Sequence, residues 1–151
     1  MNDKKGVKLY NVLFPVWMLM IFPITWLVIL PGNFIIDSAL LIISMFILKV
    51  TDKKRFYKKH IFKIFSFGMI SDFIGAGFIF IMFALLEIGE RGDELYLTVP
   101  ALLISSALIF IFNYFITFKK DEKIIRMKLS LIFAILTAPY AFLIPTSWIY
   151  Y

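Results

Sequence analysis

Residues 64–88 read IFSFGMISDFIGAGFIFIMFALLEI. The run is apolar almost from end to end, yet a carboxylate, Asp72, sits inside it. It is long enough to cross a hydrocarbon layer about 30 Å thick, which takes ~20 helical residues. A crossing segment of this kind must be helical, because lipid offers no water to unpaired backbone groups.

Four further apolar runs flank it, at 9–30, 34–50, 96–118 and 128–149. A buried soluble helix could explain one such run, but not five within 151 residues. Hydrophobic residues make up 62% of the chain, well above the half or so of an ordinary soluble domain. The expectation is one all-α domain over 1–151, an integral membrane bundle of five transmembrane helices with the lipid bilayer as its first partner. The absence of Cys excludes disulfides and thiolate chemistry. One His and no Cys make a poor metal site, so neither a metal nor a cofactor is expected.

The net charge of +6 is divided into short clusters between the apolar runs, unlike a nucleic-acid patch. Segments 1–8, 49–63 and 119–128 hold fifteen of the sixteen Lys and Arg, and only Arg91 lies elsewhere. By the positive-inside rule these segments face the cytoplasm. The N-terminus is then in and the C-terminus out, with Trp148, Tyr150 and Tyr151 suited to the outer interface. The first run is too long for a signal-peptide core and reads as a retained helix. In 49–63, seven Lys and Arg alternate with Phe56, Tyr57 and Phe62, a composition that attracts anionic headgroups rather than RNA. His60 reads as interfacial. The outer loop GERGDE reads as solvated.

Leu30-Pro31-Gly32-Asn33 has the composition of a type II turn, with Asn33 free to cap the next helix. The first two spans are therefore expected to form a tight hairpin. Pro15, Pro23, Pro139 and Pro145 should kink or locally open their helices.

Polar and small residues fall in stripes. Gly68, Gly75 and Ala76 lie on the face of Asp72, where another helix can approach closely. Asn33, Asp37 and Ser44 share a face, as do Ser106, Asn113 and Thr117, and Ser130 and Thr137. Counting 1.5 Å per residue from Lys63 puts Asp72 roughly 13 Å into the membrane. The same count puts Asn113 at a similar depth and Asp37 roughly 5 Å further from the inner side. No Lys or Arg lies deep in any run, so the aspartates lack an internal counter-ion. Either they are protonated and donate hydrogen bonds, or a cation or a water-filled cavity accompanies them. An ionisable group at such depth marks a candidate functional site. Asp72, Asp37 and Asn113 are the candidate ligand- or ion-binding residues, with Asp72 expected to be protonated, inward-facing and close to Asn113.

Three function classes follow. The first is a small transport or permeation component with an intramembrane carboxylate site, working as a homo-oligomer or with a partner membrane protein. The second is a non-catalytic accessory or assembly subunit of a membrane complex. An enzyme is the least favoured, because the contexts Ile36-Asp37 and Ser71-Asp72 lack the Tyr-Asp and Gly-x-Gly-Asp motifs of intramembrane aspartyl proteases. The runs KLYNVLFPVWMLMIFPITWLVILPGNFIID at 8–37 and KIFSFGMISDFIGAGF at 63–78 resemble small uncharacterised multi-pass proteins of low-GC Gram-positive bacteria. The resemblance spans about half the chain and implies a bacterial cytoplasmic membrane. It brings no activity or ligand.

Overall fold

A computed structural model describes residues 23–86 and 95–144. Every regular element among them is helical: α1 (Pro23–Ile47), α2 (Lys53–Leu86), α3 (Leu95–Phe112) with a π-helical turn (Asn113–Thr117), α4 (Lys123–Leu136) and a 3₁₀ turn (Tyr140–Leu143). Four helical segments are long and apolar enough to cross a membrane: Pro23–Ile47, Lys53–Met82, Leu95–Thr117 and Lys123–Leu143. They mark the chain as a membrane protein.

The hairpin expected at Leu30-Pro31-Gly32-Asn33 is absent. α1 passes straight through it, joining the end of the expected first span to the second. Pro31 removes one intrahelical hydrogen bond, whereas a turn would strip several backbone groups of partners. Where water is scarce the helix is the cheaper outcome. Asn33, expected as a cap, lies inside α1 and donates from Nδ2 to Met69 Sδ at 3.2 Å. Residues 9–22 of the expected first span lie outside the described residues.

α2 begins at Lys53, eleven residues before the expected start at 64. Its 34 residues span ~51 Å, longer than the hydrocarbon layer, so its basic first turns extend beyond the apolar zone. Phe56 and Tyr57 turn inward there, correcting the reading of them as lipid-facing. Phe56 packs on His60 and Phe118, and Tyr57 donates from Oη to Ser38 at 2.9 Å. Phe62 remains exposed beside the cations. α1 ends in a Schellman motif, in which Val50 N–H bonds Met45 O and Lys49 N–H bonds Phe46 O. Lys49 takes the left-handed position there, with φ of 50°.

Consecutive helices run antiparallel. Trp26 and Phe34 of α1 meet Phe73 and Phe65 of α2. Phe67 and Ser71 of α2 meet Phe112 and Ser105 of α3, and Ser106 of α3 donates to Ala134 O of α4. α1 and α4 close the ring more loosely than the other neighbours. All twelve described Lys and Arg lie at the end formed by the α1–α2 and α3–α4 connections. There His60 is fully buried rather than interfacial, with Nε2 3.0 Å from Asp121 Oδ2, while Lys59 pairs with Asp121 Oδ1 at 3.1 Å. The Arg126 guanidinium covers the Tyr114 ring at 4.3 Å.

One apolar core lies toward this end, around Leu41, Met45, Ile64, Ile109, Phe118, Leu129 and Phe133. A second, of Ala76, Ile79, Leu97, Ala101 and Phe142, lies toward the other. Large apolar side chains such as Ile35, Ile43, Phe80 and Leu103 point outward, as lipid contact requires.

Pro139 opens the last segment as expected. α4 stops at Leu136, Thr137 caps it, and Tyr140–Leu143 form a 3₁₀ turn. That turn leans on α3 and sends Phe142 between α2 and α3. The space it enters exists because Gly75 has no side chain. A Cβ there would strike Ser105 Oγ and stand 3.1 Å from both Ala101 O and Phe142 Cε2. Gly77, two residues on, has nothing within 4 Å. Gly75→Ala is therefore expected to destabilise the bundle by about 1–3 kcal/mol through overpacking. Gly77→Ala should be neutral or stabilising, because the helix gains propensity without a clash. Unfolding curves in mixed micelles compare the two. Equal effects would mean that α2 and α3 do not meet closely at Gly75.

Candidate functional site

Two aspartates meet in the seam between α1 and α2. Asp37 belongs to the inward stripe of α1, with Leu41, Ser44 and Met45. Asp72 belongs to the stripe of α2 that includes Ser71, Gly75 and Ala76. Each aspartate is only 6% exposed. The contact between the helices is set by Gly68, one turn before Asp72, where a Cβ would lie 3.9 Å from Asp37 Oδ2. Any larger side chain at 68 would fill space that the Asp37 carboxyl faces. Gly68 lies four residues, or ~6 Å, nearer the basic end than Asp72, so Asp37 sits on the inner side of Asp72 and not further from that side as its distance from Lys49 predicted.

Both side chains line a cavity of about 460 Å³. α1 contributes Ile29, Asn33, Ile36 and Asp37, and α2 contributes Gly68, Met69 and Asp72. The interrupted end of α4 closes it with residues 136–142. The break at Pro139 makes this space. A continuous α4 would run on beside α1, whereas the 3₁₀ turn leans away onto α3. The loose α1–α4 contact and the cavity are two aspects of one geometry.

The polar inventory of the wall is short. Asn33 Nδ2 is engaged by Met69 Sδ. Thr137 Oγ1 donates to Phe133 O at 2.8 Å within its own helix, and the Tyr140 hydroxyl donates to Ile135 O. The two carboxyls remain. Asp72 Oδ1 is enclosed and has no hydrogen-bond partner among the described residues. Among the described residues no Lys, Arg or His lines the cavity. No group of three or more metal-binding side chains occurs among the described residues.

Asn113 does not join the pair. It is fully buried at the start of the π-helical turn, and it is not among the residues that line the cavity. Neither its Oδ1 nor its Nδ2 has a hydrogen-bond partner among the described residues. The expected Asp72–Asn113 bond is not made. The expected equal depth does not hold either: Ser71 meets Ser105 and Phe67 meets Phe112, so Asn113 lies eight residues, or ~12 Å, nearer the basic end than the level of Asp72. α2 instead meets α3 through Ser71, whose carbonyl accepts from Ser105 Oγ at 2.9 Å, and Asp72, one residue on, faces the cavity. Phe142 and the interrupted backbone after Leu136 were missed as site elements. Pro139 was the available signal, since a proline that opens a helix also frees its end to turn aside.

An amide with no protein partner contributes little to stability and loses hydration on burial. Asn113→Leu, similar in volume, is expected to leave the unfolding midpoint unchanged or raise it. A loss of more than about 1 kcal/mol would show that the amide is bonded in the membrane. Calorimetric or denaturant titration of the purified variant decides.

Comparison with protein-family models, with curated proteins and with solved structures finds no match to this chain.

Proposed function

We propose that the chain is a small transport or permeation component of the bacterial cytoplasmic membrane, in which Asp37 and Asp72 form a binding site for a proton or cation. One observation carries the reading: two buried carboxyls from different helices line the same cavity, and no basic residue among the described ones lines it with them. A carboxylate in a low-dielectric interior is costly without a compensating positive charge. The pair therefore carries protons until a cation replaces one, and that exchange is the elementary step of coupled transport. The interrupted α4 supports the reading as well, because broken helices beside a midplane site are how transporters combine binding with movement. Asn113 enters as a second polar station on α3, its amide atoms without protein partners.

The proposed topology is five spans, with the N-terminus in and the C-terminus out. The gathering of all described Lys and Arg at one end supports a cytoplasmic face there. α1 reaches that face at its C-terminal end, so a cytoplasmic N-terminus requires residues 1–22 to cross again. The exposed cations at the start of α2, including Lys54, Arg55, Lys58 and Lys63, favour contact with anionic headgroups. With so few helices around the site, a homo-oligomer or a partner membrane protein would complete the pathway.

The second reading is an accessory or assembly subunit. It is favoured by Ser105 and Ser106, which are consumed in tying α3 to α2 and α4 rather than lining the cavity. Such bonds stabilise by about 0.6 kcal/mol each.

Flux separates the readings. Wild-type protein in liposomes is expected to carry a proton- or cation-linked flux that Asp72→Asn and Asp37→Asn abolish without loss of folded yield. Wild-type liposomes no leakier than protein-free ones would favour the assembly role. Topology is checked with reporters: a fusion after Tyr151 should be active outside the cytoplasm, and one before Met1 inside. Cytoplasmic activity after Tyr151 would reverse the orientation.

A further inference from the structure

We infer that the cavity between α1, α2 and the interrupted end of α4 takes an organic cation with an apolar body, in preference to a bare metal ion. The inference rests on the carboxylate-site reading above and names its ligand class.

Size is the first argument. A cavity of about 460 Å³ falls within the ~300–1,000 Å³ typical of sites for small organic molecules. A metal ion needs a tight shell of oxygens, six to eight at about 2.3–2.6 Å for calcium. Among the described residues the wall brings only two charged ligands to such a shell, the carboxyls of Asp37 and Asp72. Thr137, Tyr140 and the Asn33 amide nitrogen spend their donor hydrogens elsewhere in the protein. Most of the remaining lining is aliphatic or aromatic and includes Ile36, Met69, Leu136 and Phe142.

Chemistry is the second argument. The enclosed Asp72 Oδ1 lacks a partner, so a ligand cation or donor adds a bond there without breaking one. The aromatic rings of Tyr140 and Phe142 can attract a cation by their faces as well as pack against its body. Anions would meet no positive side chain among the described residues of the wall. Neutral apolar molecules would leave Asp72 unsatisfied. A single positive centre satisfies one carboxyl and leaves the other to keep its proton, so each ligand bound releases one proton.

Gly68 gives the decisive variant. A Cβ there meets only Asp37 Oδ2, at ordinary contact distance, so a side chain can grow into the cavity with both carboxyls intact. The experiment measures tetraphenylphosphonium binding and proton release by the purified full-length protein in weakly buffered detergent, with sodium chloride as the small-cation control. Wild type should bind tetraphenylphosphonium saturably and release about one proton per cation, as exchange at a carboxyl requires. Asp72→Asn should weaken binding at least about tenfold, the scale of removing one partner of a buried charge pair. Gly68→Leu should weaken it to a similar degree, about tenfold, by occupying the site. Gly68→Ala, which the backbone accommodates, should weaken it a few-fold and carries the test if the leucine variant misfolds.

Proton release on adding sodium, lost in Asp72→Asn, without saturable tetraphenylphosphonium binding would overturn the organic-cation inference and leave the carboxylate site standing. Tetraphenylphosphonium binding that neither Asp72→Asn nor either Gly68 variant alters would also overturn it, as simple partition into detergent. No proton release with either cation would remove the carboxylate-site reading along with it.

Discussion

At Gly75 the backbones of α2 and α3 approach so closely that a single methyl group would strike Ser105. One turn away, Ser105 donates to the Ser71 carbonyl at 2.9 Å and fixes the register of the two helices. Much else depends on that crossing. It leaves the notch that receives Phe142 and so anchors the turn after the break in α4. With the turn held there, α4 cannot continue along α1, and the cavity stays open. The crossing also fixes the azimuth of α2. Ser71 goes to the helix contact, and Asp72, 100° further round, goes to the cavity. The aspartate is placed by its neighbour's packing rather than by a bond of its own.

The helical, membrane-spanning character of the chain was legible from the length of its apolar runs, and the inward faces were legible from their polar stripes. Asp37, Ser44, Asp72, Asn113 and Ser130 are all buried. The failures are of another kind. Pro31-Gly32 was read with turn statistics that hold in water, where a broken helix can hydrate its freed groups. Within an apolar segment that option is missing, and the helix continues through both residues. The same rule applied to Pro139 gave the right answer for a further reason. There the groups released by the break can be covered by protein, with Phe142 packed against α3 and the Tyr140 hydroxyl folded back onto Ile135 O.

Partnerships were less legible than faces. Counting depth from Lys63 and from Lys119 put Asp72 and Asn113 level, but Phe118 packs beside Phe56 and His60, so those two lysines do not mark one plane and Asn113 lies nearer the basic end. His60 and Asp121 are 61 positions apart, and nothing in their spacing announces a pair with Nε2 3.0 Å from Oδ2. That contact needs α2 to continue helically through the basic segment, which was read as a loop. Once Lys53–Lys63 is helical, Phe56, His60 and Ile61 fall on one inward face while most of the cations fall outward. A basic run interleaved with aromatics can then be an amphipathic helix end, and periodicity rather than composition identifies it.

The seam between α1 and α4 combines features that work against stability. Two carboxyls face one space that no described base shares, a helix is interrupted, and the side chains of the described residues do not fill the space. Natural sequences break local rules in this way chiefly at functional sites, with the loss offset by packing elsewhere. Here the offset is visible in the two apolar cores and the Gly75 crossing. The composition of the wall also fixes the arithmetic of occupancy. With no basic side chain among the described residues of the wall, a cation can enter at low cost only as a proton leaves. Occupancy and pH are then linked reciprocally, because each ligand makes the proton's binding weaker by the factor by which the proton weakens its own. A site whose described basic groups all lie at the far end of the bundle cannot avoid that coupling.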